Sequence, residues 1–96
     1  MTSDHPYTET LYEQHGTGLP YIIRTFSETV DENDLIWHRD RTNRTLRILS
    51  GTDWKLQLDD KLPETLATGG EYFILKDTYH RLIKGHGDLV VRIENI

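Results

Sequence analysis

Apolar and polar positions alternate most cleanly from Trp54 to Asp59, where Trp54, Leu56 and Leu58 are interleaved with Lys55, Gln57 and Asp59. A period of two is that of a strand burying one face, so a strand is expected here. YIIRTF, from Tyr21, is rich in β-branched and aromatic residues; the acidic DEND at 31 to 34 reads as a turn, and LIWHRD, from Leu35 to Asp40, reads as a second strand. After the polar stretch Arg41 to Asn43, Thr45 to Leu49 forms another β-rich run, closed by Ser50-Gly51. Asp59-Asp60 marks a turn, and Leu62-Pro63 opens a short connector. Gly69-Gly70 announces the strand EYFIL, and a last run from Leu89 to Ile93 follows a turn at Gly85 to Asp88. No stretch keeps a helical apolar period for three turns with recognisable caps, so little or no helix is expected. Short strands at regular spacing, punctuated by glycine and aspartate, point to an all-β sandwich or barrel.

Residues 1–19 are polar, contain Pro6, Gly16 and Gly18, and hold no sustained period, which predicts an irregular N-terminal arm able to add an edge strand. Residues 20–96 then form the domain proper. A chain of 96 residues supports one modest core and not two. Its longest apolar runs are far too short to cross a bilayer, so no membrane association is expected. The opening MTSDHPYTET lacks a basic flank followed by an apolar stretch, which makes cytoplasmic residence the expectation.

Charge and composition narrow the chemistry. The absence of cysteine removes disulfides, thiolate zinc sites and thiol nucleophiles together, so any metal must be held by nitrogen and oxygen. A net charge of −5 argues against nucleic-acid binding, and the arginine cluster between Arg39 and Arg47 has no interleaved aromatics that would reverse the argument.

His38 and Asp40 stand two apart in an expected strand, so their side chains leave the same face. His80 lies beyond EYFIL, and in a closed barrel a strand so distant in sequence can lie beside the first. Two imidazoles and one carboxylate make a facial set with open metal positions, the arrangement of non-haem Fe(II) oxygenases; Mn, Ni, Cu and Zn also accept such ligands. The competing reading is of surface polar residues making ordinary ion pairs in an arginine-dense strand.

Residues 38 to 51 and 69 to 84 resemble the two signature motifs of the cupin superfamily. The spacing of the first is met by His38, Asp40, Arg44 and Gly51, and that of the second by Gly69, Leu75, Asp77, His80 and Lys84. Several identities differ. Asp40 stands where the family has a second histidine, Arg44 where it has a glutamate, and Leu75 and Asp77 where it has proline and glycine. The resemblance implies a small antiparallel β-barrel or jelly roll, a divalent metal held by His38, Asp40 and His80, and a homodimer. Arg44 cannot coordinate a metal. It either receives the carboxylate of an anionic substrate through its planar fork or pairs with Asp40 and neutralises it.

Trp37 and Trp54 read as core or interface aromatics, and alternation turns only one of Tyr72 and Phe73 inward. His5, His15 and His86 are expected on exposed loops, and Arg39, Arg41 and Arg47 solvated or ion-paired. The function this implies is a metal-binding cupin acting on or sensing a small molecule in the barrel, an anionic one if Arg44 serves as its receptor. Its most concrete form is a non-haem Fe(II) dioxygenase, with a metal-dependent isomerase or lyase close behind. The alternative is a non-catalytic ligand-binding or protein-interaction module without metal.

Overall fold

The computed structural model describes residues 5–13 and 18–95, which leaves the first four residues, His15 and Gly16 outside the described chain. Among the described residues eight strands follow one another: β1 (Thr8–Tyr12), β2 (Tyr21–Phe26), β3 (Arg44–Thr52), β4 (Lys55–Leu58), β5 (Glu64–Thr65), β6 (Glu71–Ile74), β7 (His80–Ile83) and β8 (His86–Asn95). They form a five-stranded sheet in the order β1-β2-β8-β3-β6 and a three-stranded sheet in the order β5-β4-β7, all pairs antiparallel. Among the described residues, helix is limited to one 3₁₀ turn, Glu32–Asp34, where the Asp31 carboxylate accepts from the Asn33 amide. The all-β, antiparallel class expected from the pattern is the class observed.

The larger sheet turns Phe26, Leu46, Ile48, Leu89, Val91 and Ile93 inward, and the smaller one meets them with Leu56. Register explains the shared face: Ile22 and Leu46 both lie opposite Ile93, and Ile48 opposite Val91. Trp54 is fully buried, and its indole Nε1 donates to the Gly87 carbonyl at 3.1 Å, so the largest side chain of the core also satisfies its one polar atom.

Several elements differ from expectation, each for an identifiable reason. LIWHRD is not a strand. It contributes a single bridge, His38 opposite His80, while Ile36 and Trp37 stay exposed, because its β-rich composition meets no neighbouring strand along its length. β3 does not stop at Ser50-Gly51 but continues to Thr52 through shifts of register between Ile48 and Thr52. A bulge of this kind bends a strand without ending it. β8 begins at His86, inside the expected turn, and the short strands β5 and β7 carry no alternation that would announce them. The N-terminal arm does add an edge strand: β1 pairs along its whole length with β2.

Two glycines separate close approach from backbone strain. A methyl group at Gly85 would overlap the Thr52 carbonyl oxygen and the Trp54 amide nitrogen, whereas one at Gly69 would meet open space but with φ at +84°. Gly85→Ala is therefore expected to lose about 3 kcal/mol or more, against about 1–2 kcal/mol for Gly69→Ala. Urea unfolding followed by circular dichroism checks this; equal losses would show that the backbone beside Gly85 yields.

Candidate metal centre

Residues 35–43 are carried to the site by contacts with the segment that opens β7. The His38 amide donates to the His80 carbonyl at 3.0 Å and the His80 amide returns to the His38 carbonyl at 2.8 Å. Two residues on, the Asp77 amide donates to the Asp40 carbonyl at 2.7 Å, and the Asn43 side chain accepts from the Lys76 amide at 2.8 Å. Four hydrogen bonds thus replace the strand pairing that LIWHRD lacks. They bring His38, Asp40 and His80 together, with one candidate ligand atom from each and all three within 4.8 Å of one another.

Both imidazoles are oriented by the backbone. His38 Nδ1 lies 3.1 Å from the Ile36 carbonyl oxygen, and His80 Nδ1 lies 2.8 Å from that of Thr78. A carbonyl only accepts, so each Nδ1 carries the proton and each Nε2 of a neutral ring presents a lone pair. The His80 side chain is 6% exposed, and burial pushes its pKa below the ordinary value. The Thr78 carbonyl opposes this, His38 adds to it, and the charges of Asp40 and Arg44 act in opposite senses.

Asp40 completes the group. Its Oδ2 sits 3.3 Å from His80 Nε2 and 3.5 Å from Arg44 Nη1, yet is buried without a hydrogen bond. A carboxylate oxygen and an imidazole lone pair facing each other in a dry site repel unless a cation stands with them. The donor set and this orphaned oxygen fit a divalent ion, with His38, Asp40 and His80 as its holders. Arg44 lies on the same side, and its Nε is also buried without a partner.

A cavity of about 280 Å³ opens beside this group, walled by Tyr7, Phe26, Leu35, Ile36 and Leu82. Its polar surface comes from His38, Asp40, Arg44 and Arg24, joined by His5 and Asp34. Arg24 was not among the residues singled out from sequence. Alternation in YIIRTF puts Arg24 on the face of Ile22 and Phe26, and the pairing with β8 shows that this face is the inward one.

The remaining candidates fall elsewhere. Tyr72 is the inward member of its pair, but its hydroxyl serves the Ala67 amide and the Thr65 carbonyl, while Phe73 is exposed. Trp37 lies under the Arg81 guanidinium at 4.9 Å, and Arg39 lies over Tyr79 at 5.4 Å. Arg47 pairs with Glu71. His86 is exposed beside Asp53, and His5 stacks on Tyr7.

No family model matches the sequence, and no curated protein matches it. Solved structures do match. DMSP lyase DddQ from Ruegeria pomeroyi DSS-3 is 12% identical with a TM-score of 0.72, the match covering 92% of this chain and 45% of that one. The cobalt(II) form of HppE in complex with Tris buffer is 19% identical with a TM-score of 0.71, covering 100% of this chain and 56% of that one. KdgF from Halomonas sp. is 13% identical with a TM-score of 0.71, covering 92% and 76%. The chain thus spans about half the length of the first two. These neighbours share an antiparallel double-sheet architecture, that of the cupins. The present chain has the cupin fold.

The depressed His80 pKa fixes a pH dependence. Between the folded and unfolded values the unfolded chain binds the extra proton, so stability present above the ordinary value of 6.5 is lost as pH falls toward the folded value. In chelator-treated protein, Tm should drop as pH is lowered from about 7.5 to about 5.5, and His80→Gln should flatten that slope. An unchanged slope in the variant would show that His80 is not held neutral.

Proposed function

We propose that this chain is a metal-dependent cupin that holds a divalent cation between His38, Asp40 and His80 and acts on a small anionic molecule in the adjoining cavity. The observation that carries this reading is the buried Asp40 Oδ2, which faces the His80 Nε2 at 3.3 Å with no hydrogen bond of its own. Two imidazole nitrogens and one carboxylate oxygen favour Fe(II), with Mn, Ni, Cu and Zn as alternatives. Structures of HppE with Fe(II) and with Co(II) are among the fold neighbours and support that choice.

The most concrete activity is that of a non-haem Fe(II) dioxygenase. A bound ion would supply Lewis acidity and redox chemistry. The chain's own residues do the rest. The Ile36 and Thr78 carbonyls fix the tautomer and direction of the two imidazoles. Arg44 receives the anionic group of the substrate bidentately, and the apolar walls keep water from the substrate's body. A metal-dependent isomerase or lyase would use the same groups, and DddQ, a DMSP lyase of the same fold, is consistent with such chemistry. The working unit is a homodimer in which a second copy covers an exposed sheet edge.

A second reading rests on the 3.5 Å approach of Arg44 Nη1 to Asp40 Oδ2. If that pair neutralises the carboxylate, the chain is a ligand-binding or interaction module without metal. Anaerobic reconstitution with Fe(II), followed by ICP-MS on wild type, His38→Ala and His80→Ala, separates the two. Near-stoichiometric metal in the wild type, lost in both variants, is expected. Metal at about 100 times its Kd should also stabilise the fold by about 2.7 kcal/mol. Absence of metal and a Tm indifferent to chelation would overturn the first reading in favour of the second.

A further inference from the structure

Among the described residues, the inward face of the larger sheet along β2, and along β3 as far as Ile48, is apolar except at two positions. Along β2 the inward residues are Ile22, Arg24 and Phe26, and along β3 they are Arg44, Leu46 and Ile48. β8 runs between them, presenting Leu89, Val91 and Ile93. Two guanidinium groups therefore stand on a surface built for hydrocarbon, on either side of one strand, and both line the same cavity. Placing a cation there is unfavourable unless an anion meets it.

Their present partners account for them unequally. Arg24 is 12% exposed at its side chain and directs Nε and Nη2 to one oxygen of Glu9, at 2.9 and 2.8 Å. Its guanidinium also lies 3.8 Å from the centroid of the Tyr7 ring. Glu9 sits opposite Arg24 on edge strand β1, itself exposed throughout, so this carboxylate reaches Arg24 from an exposed edge of the sheet. Arg44 has only the 3.5 Å approach to Asp40, and its Nε is unpartnered and buried.

We propose that Arg24 and Arg44 form a two-arginine cradle for a small organic carboxylate with a short apolar body, and that Glu9 occupies Arg24 until such a ligand arrives. The proposal rests on the cavity beside the metal centre being the ligand site, and it specifies the class of ligand. A carboxylate matches the guanidinium fork in shape and charge. Phe26, Leu35, Ile36 and Leu82 suit a few carbons, and a space of about 280 Å³ suits a ligand of that size and not a large one. Arg24 is a specificity-determining residue in this arrangement: it sets the sign of the ligand's charge, and its exchange of Glu9 for the ligand links occupancy to the seating of β1.

The test uses butyrate as the probe, titrated into the full-length protein in chelator-treated and Zn(II)-loaded forms. Arginine Nε–Hε resonances are followed by NMR, with 1-butanol and n-butylamine as neutral and cationic controls. Saturable shifts of both Arg24 and Arg44 with butyrate, and neither with the controls, are expected. Arg24→Gln should weaken butyrate by about tenfold. Glu9→Gln should tighten it by about threefold by removing the competitor, an effect opposite to that of a merely destabilising change and informative even if Arg24→Gln fails to fold. Equal response to butanol, or weaker binding in Glu9→Gln, would overturn the proposal. Metal content is measured on the same samples. Butyrate bound without any metal uptake would sink the metal reading alone, and metal bound with no butyrate response in either form would sink the cradle alone.

Discussion

The reciprocal backbone hydrogen bonds between His38 and His80 are the contact on which the site depends. They join a segment with no other strand pairing to the first residue of β7, and they set two imidazoles at a ring separation of 4.3 Å. The stretch from Leu35 to Asn43 links β2 to β3 of the larger sheet and has no ladder of its own to hold it against the smaller one. Fixing such a stretch costs conformational entropy at every residue, which a few well-placed hydrogen bonds at His38, Asp40 and Asn43 offset. The same bridge aligns each ring so that its Nδ1 meets a carbonyl two residues back, His38 on Ile36 and His80 on Thr78. Backbone geometry thus decides which nitrogen faces the carboxylate.

Around that bridge the fold accommodates an amount of charge unusual for so small a core. His80, Asp40, Arg44 and Arg24 all border the apolar layer formed by Leu46, Leu56, Ile74 and Val91. Each is tolerated through a neighbour, but the neighbours do not balance: Asp40 Oδ2 lies beside the neutral His80 imidazole and the Arg44 guanidinium without a hydrogen bond to either, and the Arg44 Nε has none. A purely structural ion pair would close such gaps, because an unsatisfied buried polar atom costs more than the pair contributes. Both gaps lie at one cavity.

How much of this was legible along the chain varies with the kind of signal. The alternation of Trp54, Leu56 and Leu58 announced β4 because burial of one face writes directly into the sequence. Spacing pointed to His38 and Asp40 as a same-face pair and the motif resemblance joined His80 to them, although the expected strand beneath the first two is a single bridge. β5 and β7 were not legible, since ET and HRLI are too short to show a period and form only because β4 offers them edges. Arg24 was passed over because the phase of YIIRTF is ambiguous until a partner strand settles which residues point inward. The bulge in β3 hid behind Ser50-Gly51, a pair that serves a turn and a bulge equally well.

The two tryptophans have a spectroscopic consequence. Trp54 is sealed in hydrocarbon at 0% exposure, whereas Trp37 is 41% exposed, precedes His38 and lies against Arg81. One indole therefore emits from an apolar interior and the other from a wet rim next to a candidate metal ligand. Their light separates by colour and by quenching: the blue component follows the integrity of the interior, and the red component follows the exposed segment that carries His38. The molecule carries an optical reporter for each of the two things a biochemist would want to watch, with no label added.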